Sequence, residues 1–146
     1  MFNFFKKTKD TNLDEQMYEF DIELVGCALA YEVAKADGDI NSNELEKIKI
    51  ELTKRSNVLG LNSGEVLKTI KIQSNESVSF NDFINQINDN FSQDQKLEMI
   101  EFLWQTAYAD NVLEVDEERL IRRIADMIRI KDMQVLKLKH QAKQGY

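Results

Sequence analysis

The chain contains no proline, only five glycines, one cysteine, one histidine and one tryptophan in 146 residues. Without proline, nothing in the sequence forces a helix to break or kink. Strand-type alternation is scarce as well, and together these absences point to helices joined by short turns. The lone Cys27 excludes an internal disulfide. It sits in the apolar run Leu24-Val25-Gly26-Cys27-Ala28-Leu29, the setting of a small buried hydrophobe. The lone His140 lies beside Lys139 in a basic tail. A nucleophilic triad needs a base next to its serine or cysteine, and a di-iron bundle needs two Glu-x-x-His pairs that one histidine cannot supply. Neither catalysis nor an organic cofactor is expected.

Long apolar runs are missing too. No stretch of about 20 residues could span a bilayer as a helix. The start, Met1-Phe2-Asn3-Phe4-Phe5-Lys6-Lys7, is too short for a signal peptide and lacks a cleavage site, so a cytoplasmic location is the expectation. Phe2, Phe4 and Phe5 beside two lysines suit three arrangements: contact with a membrane surface (here the inner membrane), insertion in a partner groove, or docking on the protein's own core. Residues 1–12 are therefore read as a segment, flexible or docked, ahead of a single domain over 13–146.

What is present fits a self-sufficient fold. Hydrophobic residues at 42% and charged residues at 31% describe a globular and not a disordered chain. A domain of this size buries roughly 68–70% of its unfolded surface. The formal charge of −7 repels phosphate backbones and attracts cations or basic protein surfaces. Nucleic-acid binding needs a dense basic patch. The nearest candidates are Lys6, Lys7 and Lys9, with Lys131, Lys137, Lys139 and Lys143 near the end; they read instead as a solvated face. Protein partners are expected, nucleic acid is not, and monomer and homodimer both stay open.

Apolar residues recurring at three- and four-residue steps predict seven helices, over about 13–36, 42–57, 63–72, 80–89, 93–109, 115–130 and 133–143. Capping boxes mark several starts: Asn41 with Glu44, Asn62 with Glu65, Ser92 with Gln95, and a weaker Ser79 with Asp82. The fold class is all-α, a compact bundle.

The bundle is also internally repeated. Ala36-Asp37-Gly38-Asp39-Ile40-Asn41-Ser42-Asn43-Glu44 joins a long apolar helix to a shorter amphipathic one. Ala109-Asp110-Asn111-Val112-Leu113-Glu114-Val115-Asp116-Glu117 does the same 73 residues later. Each copy has Ala-Asp, a residue tolerant of left-handed geometry, an aliphatic residue three after the Asp and a Glu seven after it. Ile48 and Ile121 then match. Two related halves, about 13–72 and 79–143, form a pseudo-twofold repeat of helical hairpins.

The motif admits two chemistries. Asp37 and Asp110 stand at helix C-termini, where negative charge costs about 0.3–1 kcal/mol. In one reading each Asp folds back onto the free N–H groups of the next helix, with Gly38 or Asn111 as C-cap and Ile40 or Leu113 as a plug. The acids then only cap hairpins of a metal-free scaffold or adaptor. In the other, a cation lies between Asp37 and Glu44, helped by Asp39 or Asn41, and a second between Asp110 and Glu117, helped by Glu114 or Asp116. Oxygen-only ligands in a loop suit Ca²⁺, or Mg²⁺ with waters retained. The string Asp-Gly-x-Ile-x-x-x-Glu matches the last eight positions of an EF-hand loop, but Val33 and Lys35 stand where its first acids belong, as do Thr106 and Tyr108 in the second copy. A true EF-hand is not expected.

From Ala36 to Glu44, after an alanine-rich helix, and again from Ala109 to Glu117, the sequence resembles the tellurite-resistance TerB-like domain, itself similar to the N-terminal region of DjlA-type co-chaperones. The resemblance spans about Leu13 to Met133. It implies an all-helical bacterial module with acidic positions linked to divalent-metal binding, Ca²⁺ in particular. It also implies a place in stress-response or membrane-linked assemblies. By motif position those acids are Asp37 and Glu44, with Asp110 and Glu117. The second copy departs from the pattern, with Asn111 for the glycine and Val115 entering the helix start.

Overall fold

The computed structural model describes residues 24–36, 38, 40–75, 80–109 and 111–144. These residues form α1 (24–34), α2 (Ser42–Leu59), α3 (Ser63–Asn75), α4 (Phe80–Asn90), α5 (Gln93–Ala107), α6 (Val115–Met127) and α7 (Asp132–Lys143), with no strand among them. The all-α class and the seven helices stand. Residues 1–23, with Phe2, Phe4 and Phe5, lie outside the described part, as do Ser79 and the side chain of Asp82.

The caps set the boundaries. Ser92 and Gln95 form the full reciprocal capping box at the start of α5. Asn62 Oδ1 accepts from the Glu65 N–H at 3.0 Å. At the start of α2 the pattern shifts: Asn41 Oδ1 accepts from the Asn43 N–H at 2.7 Å, one residue before Glu44. Helix α2 runs two residues past its expected end and stops where Gly60 takes the left-handed conformation (φ 71°). There the Leu61 N–H reaches Ser56 O at 2.9 Å and the Gly60 N–H reaches Asn57 O at 3.2 Å, the double bond of a Schellman cap. Helix α6 ends short of 130 because the residues beyond it close a turn of the same kind, and α5 ends short of 109, where the Ala109 N–H bonds to Thr106 O at 3.1 Å and leaves the helical ladder.

The core is continuous. Leu24, Leu29, Ile48, Leu52, Ile87, Ile100, Leu103, Trp104, Ile121, Ile124 and Ile128 are all sealed from solvent, and Cys27 is buried among them. Helix α5 is the hub, packing on α2, α6 and α7. Trp104 ties it to α7 by donating its indole N–H to Val135 O at 3.1 Å. Lys139 of α7 stands 5.9 Å from the centre of that indole and 2.7 Å from Glu118 of α6, so a single side chain joins three helices.

Candidate functional site

The exit turns of the two motif copies share the same backbone hydrogen bonds. After α1, N–H groups of Lys35, Ala36 and Gly38 bond to Tyr31, Val33 and Lys35 carbonyls at 3.1, 3.0 and 2.8 Å. After α5, N–H groups of Tyr108, Ala109 and Asn111 bond to Trp104, Thr106 and Tyr108 carbonyls at 3.0, 3.1 and 2.8 Å. Every partner is displaced by 73 positions. Gly38 (φ 106°) and Asn111 (φ 66°) both supply the positive φ that lets the chain leave its helix. A Cβ at Gly38 would meet nothing within 4 Å, so the backbone angle and not crowding demands glycine there.

The aliphatic plugs Ile40 and Leu113 pack half-buried against the core, and Ile48 and Ile121 are fully buried one turn beyond the motif's glutamates. The glutamates go inward too. Glu44 is 3% exposed and Glu117 is 1% exposed, although each stands in the first turn of its helix, where an acid ordinarily meets solvent.

Of the six acids singled out from the sequence, Asp37, Asp39 and Asp110 lie outside the described residues. Glu44 and Glu117 occupy equivalent buried places. Glu114 points to solvent at the N-cap of α6 without capping it. Among the described residues, no three His, Cys, Asp or Glu side chains gather as a metal-ligating group. The titrating groups around the turns respond to burial. Tyr31 and Tyr108 are both held above the usual 10.0, first by loss of hydration. For Tyr108, Lys139 opposes that shift and Glu118 adds to it. Elsewhere, His140 is an exposed residue of α7, its Nε2 3.1 Å from the Gln144 amide nitrogen.

The halves interlock. The end of α1 lies beside α6 across one groove, and the end of α5 lies beside α2 across another. Glu32, Lys35 and Ala36 of the first groove correspond to Gln105, Tyr108 and Ala109 of the second. Asp116, Arg119, Leu120 and Arg123 correspond to Asn43, Glu46, Lys47 and Ile50. Sequence reading found the loops and missed these grooves. The 73-residue offset, applied to exposed positions as well as apolar ones, was the signal that could have found them.

An all-helical module of two interlocked hairpins, each turning through an Ala-Asp loop into a buried glutamate, defines the class. Residues 23–140 match the family model described as tellurite resistance protein TerB, and the chain belongs to that family. No curated protein and no solved structure gives a match. Among the described residues no helix is long and apolar enough to cross a membrane.

Proposed function

We propose that this TerB-family module holds a divalent cation, Ca²⁺ or Mg²⁺, at its first acidic motif and works through protein partners. The observation that carries the reading is the burial of Glu44, 3% exposed, in the motif whose sequence also holds Asp37 and Asp39. Carboxylates are kept from water at a cost unless positive charge or hydrogen bonds compensate, and oxygen donors of this kind suit a hard cation. Asp37, Asp39 and Glu44 would hold the ion in the first copy, with Asp110, Glu114 and Glu117 as the weaker second set. The outward-facing Glu114 and the valines at 112 and 115 make the second loop the poorer ligand. The setting of this reading is a stress-response or membrane-associated assembly; the family's description, tellurite resistance, supports its stress-response side.

A second reading rests on the turns themselves. Their backbone bonds and the positive φ of Gly38 and Asn111 account for the hairpins without any ion. The motif acids would then be caps of a metal-free scaffold.

Thermal unfolding of EDTA-stripped protein, with and without millimolar Ca²⁺ and with Mg²⁺ and ionic-strength controls, separates the two. At a hundredfold excess over Kd a bound ion adds about 2.7 kcal/mol, raising Tm by roughly 5–10 °C. A Ca²⁺-selective rise that Asp37→Asn removes supports the cation module. No shift beyond the salt control leaves the scaffold.

A further inference from the structure

Charge is unevenly shared along the chain. Residues 129–146 hold five basic side chains and one acidic, net +4, in a chain of formal charge −7. Lys139 is tied to Glu118 at 2.7 Å. Arg129, Lys131, Lys137 and Lys143 are exposed, and among the described residues no carboxylate stands within ion-pair distance of any of them. The nearest acids in sequence are Asp126 and Asp132, and Asp132 is engaged by Arg122 at 3.3 Å. Sequence alone makes these lysines a solvated face. The structure sets two apolar side chains in the middle of it: Met133 is 83% exposed and Leu136 40%. One turn apart, they lie side by side on the outer face of α7, with Lys137 on one flank and Lys143 on the other. Arg129 adds a separate observation. It closes α6 at φ 67°, the place that Gly60 takes in the matching cap of α2. An arginine held where glycine fits more easily points to use of its side chain.

We infer that this outer face of α7, entered through Arg129 and Lys131, rests on an anionic bilayer, with Met133 and Leu136 at the headgroup–acyl boundary and the four cations on lipid headgroups. Apolar side chains flanked by lysines on one helix face are the pattern of a helix lying in the plane of the interface. The lysine stems cover apolar surface while their charges stay among the headgroups. The acidity of the rest of the protein does not prevent this. At physiological salt the Debye length is about 8 Å, so the charges that count are those on the face that meets the surface. A nucleic acid offers nothing to Met133 and Leu136. An acidic partner helix would seat in a groove, whereas this is the convex side of a single helix. The membrane-associated setting proposed above thereby gains a definite surface, one that involves no bound cation.

The test uses the full chain in EDTA, where failure of the cation reading has no bearing. Protein is sedimented with sucrose-loaded vesicles of mixed phosphatidylcholine and phosphatidylglycerol, and with vesicles of phosphatidylcholine alone. Binding to the anionic vesicles only is expected. Each cation near such a surface contributes about fivefold to partitioning. Lys131→Gln/Lys137→Gln should therefore bind roughly 25-fold more weakly, and Met133→Gln/Leu136→Gln about tenfold more weakly. Lys47→Gln/Lys49→Gln, at exposed positions of α2, should bind as the parent does. Arg129→Gly should weaken binding about fivefold while raising Tm, a pairing that a purely structural arginine would not give. Thermal unfolding of the other variants establishes that these exposed positions leave the fold intact. Absence of binding, equal binding to neutral vesicles, or full binding by either α7 double variant would each overturn the proposal. So would an equal loss in Lys47→Gln/Lys49→Gln, which would make the attraction one of overall charge.

Discussion

Glu44 and Glu117, 73 residues apart, occupy the same place in two hairpins, and both are almost completely withdrawn from water. Their loops are not equivalent. The first has Asp39 and Ser42 where the second has Val112 and Val115, which are 54% and 62% exposed. The duplication has kept the buried acid and changed the rim. If the first loop holds the cation, Glu44→Gln abolishes the Ca²⁺-dependent rise in Tm, and Glu117→Gln leaves most of it. Calcium-dependent melts of both variants check this, and equal loss in the two would show that the copies act together.

Thr106 is the counterpart of Val33, and each is 1% exposed. The Thr106 hydroxyl oxygen is buried without a hydrogen-bond partner. A polar group in that state costs about 1–3 kcal/mol, and the first half shows that valine fits the equivalent position. Thr106→Val should therefore stabilise by about 1 kcal/mol and raise Tm by roughly 3–5 °C. Thr106→Ala, which removes the hydroxyl and leaves a gap, should gain less or lose. Urea denaturation of the two variants side by side gives the comparison.

Trp104 fills the junction of α5 and α7 and is fully buried, with its N–H on Val135 O. Trp104→Phe removes that donor and opens space beneath Lys139. The expected cost is about 2–4 kcal/mol, from the hydrogen bond and the cavity together. Chemical denaturation followed by far-ultraviolet circular dichroism reads it without relying on the lost fluorophore.

Much of this fold is legible in residue order because nothing interferes with the helical period. The expected α2 and α3 start at the residues where the helices do, and α5 starts at Gln93 after its capping box. The ends were harder to read. Tyr108 and Ala109 continue the apolar period of α5 but belong to its exit turn, as Lys35 and Ala36 belong to that of α1. The motif was legible as a repeat, since its spacing survives in sequence. The inward turn of Glu44 and Glu117 was not, because a first-turn glutamate already has a sufficient reason to face solvent in the positive end of its helix. The grooves were out of reach for a different reason. They pair α1 with α6 and α5 with α2, contacts that depend on how the halves interlock and leave no local period.

Helix α6 closes with the same double hydrogen bond as α2. The Ile130 N–H reaches Ala125 O at 2.9 Å and the Arg129 N–H reaches Asp126 O at 3.0 Å. In α2 the left-handed residue is Gly60, whereas here it is Arg129, at φ 67°. A side chain in that conformation costs about 1–2 kcal/mol, and glycine's extra freedom in the unfolded chain returns about 0.5–1. Arg129→Gly should stabilise the protein by about 0.5–1 kcal/mol, and Arg129→Val, β-branched at a positive φ, should destabilise it. Thermal melts that rank glycine above arginine above valine would establish the strain.

The phenols give the pH dependence. Tyr31 and Tyr108 are each held above 10.0 in the folded state, chiefly because burial disfavours the phenolate. The native protein therefore keeps these protons when the unfolded chain has begun to release them. Stability from this source is complete below the unfolded value. It falls as pH rises from there through the higher folded values, since the unfolded state then binds fewer protons than the native one. Urea melts at neutral pH and at steps above pH 10 should show stability declining with alkalinity. Tyr31→Phe and Tyr108→Phe should each flatten that decline, because phenylalanine keeps the ring and has no proton to lose. Phenolate absorbance titration of the native protein locates the two groups, and a normal midpoint for both would remove the basis of the prediction.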